Sequence, residues 1–136
     1  KTVQQALELL EITDKSQRKC GNLSDGQLQK VFLARAIAQE TPLIFLDEPT
    51  THLDLYHKIF VLKLLKELTR KTQKAIVFAT HEINLALQLC DQIILVNQGK
   101  IIQKTPEELI KSNLLQELFP KDLVEFDAAS KSFRVL

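Results

Sequence analysis

The chain has 136 residues, with 18 Lys+Arg against 17 Asp+Glu, 45% apolar and 26% charged. Those proportions fit one globular domain with its own core and exclude a disordered chain, which needs low hydrophobicity and high net charge. A formal charge of +1 offers no footprint for nucleic acid or an anionic membrane, and no apolar run nears the roughly 20 residues of a membrane span.

Cys20 and Cys90 are far apart and form no CxxC pair, which argues against a disulfide framework or a zinc site and for a reducing cytosol. The stretch from Lys1 to Leu10 lacks the apolar core and cleavage site of a secretory leader. No methionine occurs anywhere, and this predicts a piece of a longer gene product.

Val3 to Leu10 reads as a short helix with Ala6, Leu7 and Leu10 on one face. Residues 13–22 are polar and read as a loop. Ser24 followed by Gln27 is a capping-box pattern, which opens a helix to about Gln39 with Val31, Ala34, Ile37 and Ala38 inward. Pro42 ends it. Leu43 to Leu46 is a continuous apolar run, predicting a strand buried on both faces, as in a parallel sheet. A helix over 55–70 follows, with Leu55, Ile59, Leu62 and Leu65 at helical spacing. Ala75 to Ala79 is a second buried strand, and a short helix spans about 83–90. Gln92 to Val96 and Lys100 to Lys104 flank the turn Asn97-Gln98-Gly99. Pro106 starts another helix, and residues 123–126 and 132–135 read as a last hairpin.

Strand, helix, strand at this spacing is a βαβ unit, so the class is α/β with parallel strands. Ligands of such sheets sit at the carboxyl ends of strands. The first strand ends in Asp47-Glu48 and the second runs into Thr80-His81, which a parallel pairing brings together. Adjacent carboxylates at a buried strand end repel and lose solvation, a cost that Mg²⁺ with phosphate would offset. Leu23 to Gln27 puts a hydroxyl, a glycine and free N–H groups at a helix start, an anion site by geometry and dipole. Each feature alone is also ordinary structure: two solvated acids, a hydrogen-bonding histidine, a helix cap.

The order Leu-Ser-x-Gly-Gln, Leu-Asp-Glu-Pro-Thr, Thr-x-Leu-Asp, Thr-His-Glu resembles the second half of the nucleotide-binding subunit of ABC transporters. In that resemblance Leu23 to Gln27 is the signature loop and Leu43 to Glu48 is Walker B. Thr51 to Asp54 is the D-loop, and His81 is the switch histidine. The likeness extends through Arg35-Ala36-Ile37-Ala38 and Gly99-Lys100-Ile101.

The resemblance implies an α/β, P-loop NTPase-like sheet with flanking helices, incomplete because its N-terminal half is missing. Residues 1–40 would end a helical subdomain, and 41–136 would carry Walker B through the last strands. Asp47 would hold Mg²⁺, largely through water, and Glu48 would be the general base. His81 would contact the γ-phosphate and the attacking water. Ser24, Asp25, Gly26 and Gln27 would face ATP held by an opposite subunit, with Asp54 linking the two sites. The implied partners are a second copy, integral-membrane permease subunits and, indirectly, a substrate-binding protein; nucleic acid is not implied. The implied location is the cytoplasmic face of the membrane, as a peripheral subunit.

Two departures matter. Asp25 stands where many members carry Gly, and with Gly26-Gln27-Leu28-Gln29-Lys30 and the tail from Thr105 it resembles importers of iron-siderophores, haem and cobalamin. No G-x-x-x-x-G-K-[ST] phosphate loop is present: Gly21 and Gly26 are correctly spaced, but Gln27 and Leu28 follow. The 136 residues alone are therefore expected to bind ATP poorly and to lack turnover. Two other readings compete. One is a soluble ABC-type ATPase acting on ribosomes or DNA, which a single cassette without a coiled-coil insertion disfavours. The other is a non-catalytic dimerisation or regulatory module, which retention of Asp47, Glu48 and His81 disfavours.

Overall fold

A computed structural model describes residues 2–120 and 122–136. The chain divides into two compact units, the first reaching His81 and the second running from Glu82 to Leu136.

In the first unit, helix α1 (Thr2–Leu9) buries Ala6 against helix α2 (Asp25–Ala38), and two 3-10 turns occupy the polar segment between them. Helix α2 begins where the spacing of Ser24 and Gln27 predicts. The Ser24 hydroxyl accepts the Gln27 N–H at 3.3 Å, and the Gln27 side-chain oxygen accepts the Ser24 N–H at 3.2 Å. Two of the orphan donors of the first turn are thereby satisfied. The inward face of α2 carries Leu33 and Ala34, with Val31, Ile37 and Ala38 packed alongside. Lys30 is also buried; its stem lies in the core and its ammonium stands 5.3 Å over the Phe60 ring.

Strand β1 (Leu43–Asp47) pairs in parallel with strand β2 (Ala75–Ala79), in register from Leu43↔Ala75 to Asp47↔Ala79. Helix α3 (Leu55–Thr72) forms the crossover and buries Val61, Leu62 and Leu65. Leu10, Ile12, Leu33, Val61 and Leu65 form one cluster, and Leu46 and Ile76 close over it.

Two expectations are corrected here. The strands are not buried on both faces: Ile44 and Leu46 point into the unit, whereas Phe45 is 72% exposed, with Leu43 and Val77 also open. Side chains alternate across a strand, and among the described residues of this unit the helical cluster covers one face. Leu55 is not an inward residue either. It opens α3 and is 65% exposed, so the buried stripe starts a turn and a half later.

The second unit is built from short antiparallel pairs. Strands β3 (Ile93–Asn97) and β4 (Lys100–Lys104) pair with Asn97 opposite Lys100. That leaves a two-residue turn in which Gln98 and Gly99 both have positive φ, 47° and 76°, the type I′ geometry that suits strand twist. Helix α4 (Ile83–Leu89) and helix α5 (Pro106–Lys111) supply Leu87 and Leu109 to a core completed by Leu115. Thr105 caps α5 in a second capping box with Glu108, and Pro106 takes the first helical position. Strands β5 (Val124–Asp127) and β6 (Ser132–Val135) close the chain, with Phe133 edge-on to Phe119 and Phe126. Among the described residues no helix is long and apolar enough to cross a membrane.

Candidate functional site

The site grows from the ends of the two parallel strands. The Glu48 N–H donates to the Ala79 carbonyl at 3.1 Å, extending the ladder one step past Asp47. The chain then turns sharply. Glu48 has φ +45°, a left-handed conformation that costs an ordinary residue roughly 1–2 kcal/mol. The Glu48 carbonyl accepts the Thr51 N–H at 3.1 Å and the Gln29 side-chain amide of α2 at 3.1 Å. Pro49 and Thr50 beneath it are buried.

Across the strand pair His81 meets Glu48. Its Nδ1 lies 3.0 Å from Glu48 Oε1. A carboxylate only accepts, so Nδ1 carries the proton in this contact. Oε2 stands 3.0 Å from the same nitrogen, yet it is buried and makes no hydrogen bond. A buried carboxylate oxygen with no donor is costly, and a water or a cation's water shell would satisfy it. Asp47 is exposed at the strand end beside it. Among the described residues no group of three or more His, Cys, Asp or Glu is placed to enclose a metal. Two adjacent oxygen donors fit Mg²⁺ arriving with phosphate oxygens and water better than an all-protein cage.

The other predicted residues lie on neighbouring turns. Ser24 and Asp25 are exposed at the start of α2, with Gly26 and Gln27 half-buried. A Cβ on Gly26 would meet the His52 carbonyl and a Leu53 methyl, each at 3.3 Å, so this glycine lets the helix start pack on the 51–54 loop. Asp54 caps α3: its carboxylate accepts the His57 N–H at 2.9 Å, and both its oxygens lie 2.9 Å from His57 Nδ1. The backbone bond from His57, and after it the ring contact, hold the Asp54 carboxyl below the usual carboxylate range. The structure thus brings Glu48 and His81 into direct contact and packs Gly26 on the loop before Asp54.

Residues 1–51 match the family model described as ABC transporter. Across 118 residues the chain is 39% identical to the petrobactin import ATP-binding protein YclP of Bacillus subtilis (strain 168), covering 86% of this chain and 47% of that protein. It is 35% identical over 118 residues to the ferric enterobactin transport ATP-binding protein FepC of Escherichia coli (strain K12), covering 86% and 44%. Among solved structures, an inward-facing ABC transporter described as of the metal-chelate type superposes with a TM-score of 0.79 at 33% identity, over 98% of this chain and 53% of that one. This chain belongs to the ABC-transporter ATP-binding family. The ATP-binding cassette MJ0796, solved as a dimer in a post-hydrolysis state with ADP and Pi, also matches, with a TM-score of 0.68 and 33% identity over 75% of this chain and 44% of that one. The chain spans about half the length of the curated relatives it matches.

Within this ABC segment, two residues with local partners went unassigned by sequence reasoning. Gln29, which belongs to the family-like run 26–30, donates to the Glu48 carbonyl, a contact set by where α2 crosses the turn. His57 lies in the first turn of α3, where its N–H and ring both engage Asp54.

Proposed function

We propose that the chain supplies the hydrolytic residues of an ATP-hydrolysing subunit that powers import of an iron-siderophore, haem or cobalamin-type substrate. The observation that carries this reading is the Glu48 carboxylate, held by His81 Nδ1 at 3.0 Å and keeping one buried oxygen without a donor. In this reading Glu48 accepts the proton of a water that attacks the γ-phosphorus, while the bond to the bridging oxygen of ADP breaks. His81 holds the carboxylate in position from one ring nitrogen and approaches the γ-phosphate through the imidazole. Asp47 would hold Mg²⁺, largely through water, and the ion would neutralise charge on the phosphate oxygens. Ser24, Asp25, Gly26 and Gln27 face the γ-phosphate of a nucleotide carried by a second copy, using the N–H groups and dipole of the 14-residue helix α2. Asp54 joins the two sites.

The names of the relatives support siderophore import, and the MJ0796 dimer supports assembly of two copies. Integral-membrane permease subunits and, through them, a substrate-binding protein complete the assembly, at the cytoplasmic face of the membrane. The phosphate loop would come from the rest of the same domain. The test is Glu48→Gln in the intact polypeptide that carries these residues. Turnover should fall by about 10²–10⁴-fold while MgATP is still bound. Undiminished turnover would refute the reading.

A further inference from the structure

We infer that Gln29 is a positioning residue for Glu48, tying the attitude of the general base to helix α2. The inference rests on the ATPase reading above and deepens it.

The Glu48–Pro49 peptide has no N–H, so its only polar group is the Glu48 carbonyl. That carbonyl takes two donors from different places. One is the Thr51 N–H of the same turn, and the other is Gln29 Nε2 from a helix that ends before β1 begins, each at 3.1 Å. A carbonyl only accepts, which fixes the amide nitrogen of Gln29, not its oxygen, as the contacting atom. Glu48 sits at φ +45°, a conformation ordinary residues avoid, and such geometry persists only where its surroundings over-determine it. Rotating this peptide would swing the carboxylate away from His81.

Gln29 lies one turn beyond Gly26, on the side of α2 that packs on the 51–54 loop. The helix therefore meets the segment after β1 at two points: by close approach to His52 and Leu53 at Gly26 and by a hydrogen bond to Glu48 at Gln29. Since α2 opens at the loop proposed to face the second copy's nucleotide, the same helix joins that contact to the base.

The experiment compares Gln29→Met and Gln29→Glu with Glu48→Gln in the intact ATPase. Both Gln29 variants keep the side-chain length and lose the amide donor. Expected are a kcat lowered about tenfold, KM for MgATP within about twofold, and an unchanged melting temperature. Hydrogen exchange should quicken at the Thr51 and Glu48 amides and not along α1. Wild-type kcat in both variants, beside a silent Glu48→Gln enzyme, would overturn the inference and leave the ATPase reading standing. Loss of turnover with lower melting temperature and faster exchange throughout α2 would make Gln29 merely structural and overturn it as well. Normal turnover in Glu48→Gln would overturn the ATPase reading itself, and the role of Gln29 with it.

Discussion

The two units solve the same problem of satisfying backbone groups in opposite ways. The first, up to His81, makes a parallel pair whose partners lie more than 30 residues apart in sequence and uses a long helix to cross between them. The second, from Glu82, uses antiparallel pairs closed by short turns. Parallel pairing sets both strand ends side by side, and Asp47, Glu48, Asp54 and His81 lie there or on the turns that follow, while Ser24 to Gln27 open helix α2. Hairpins put the carboxyl ends of their strands at opposite edges, so among its described residues the second unit has no such meeting point. Proximity of remote residues, not the presence of carboxylates, separates the two.

The sharpest way to break this comparison is a matched pair of substitutions. Glu48→Gln is expected to cut ATP turnover by at least about a hundredfold, roughly 3 kcal/mol of transition-state stabilisation. Glu108→Gln changes the same group at the α5 cap and should leave kcat unaltered. Steady-state ATPase assays of the intact polypeptide decide it, and equal losses would remove the distinction between the units.

The next largest effect is on stability. Leu65 and Leu109, 3% and 0% exposed, sit in the separate clusters of the two units. Leu65→Ala and Leu109→Ala should each cost about 2–5 kcal/mol. Hydrogen exchange would place the first loss among the amides of β1, β2 and α3, and the second among those of β3 to β6. A loss spread evenly over the chain in both variants would show that the division into units has no energetic meaning.

Legibility in the sequence followed the same division. The last hairpins were readable because Gly99 and the turn residues act on immediate neighbours, and the β1–β2 pairing because a βαβ repeat has one plausible arrangement. The meeting of Glu48 with His81 followed from that pairing. Three things did not follow. Burial of both faces of β1 was expected from an apolar run, but composition says nothing of how many layers cover a strand, and Phe45 is open. Leu55 fitted the helical period but starts the helix. The Gln29 bond to Glu48 depends on where α2 crosses the turn, which no local pattern encodes.

Smaller effects come from the two capping boxes, which are chemically alike in the two units. Ser24→Ala and Thr105→Ala should each cost about 1 kcal/mol in thermal unfolding. They should differ in function: Ser24→Ala also weakens the proposed contact with a second copy's nucleotide, whereas Thr105→Ala should change stability alone. If Ser24→Ala lowers stability with no change in turnover, the hydroxyl serves only the helix.

The smallest expected effect is a pH dependence that the two units share. Asp54 in the first and Glu108 in the second are exposed carboxylates held below their ordinary range, by the His57 and Thr105 backbone N–H groups first and the side chains of the same residues next. A folded-state value below the unfolded one means the ionised form is favoured by folding. The contribution is complete above the unfolded values, about 3.9 for Asp and 4.3 for Glu, and is lost as pH falls through the depressed folded ones. Asp54→Asn and Glu108→Gln should therefore lower the melting temperature slightly at neutral pH, and each difference from wild type should shrink as pH drops below about 4. Differences from wild type that stay the same from neutral pH down to about pH 3 would mean that neither carboxylate stabilises its cap through its charge.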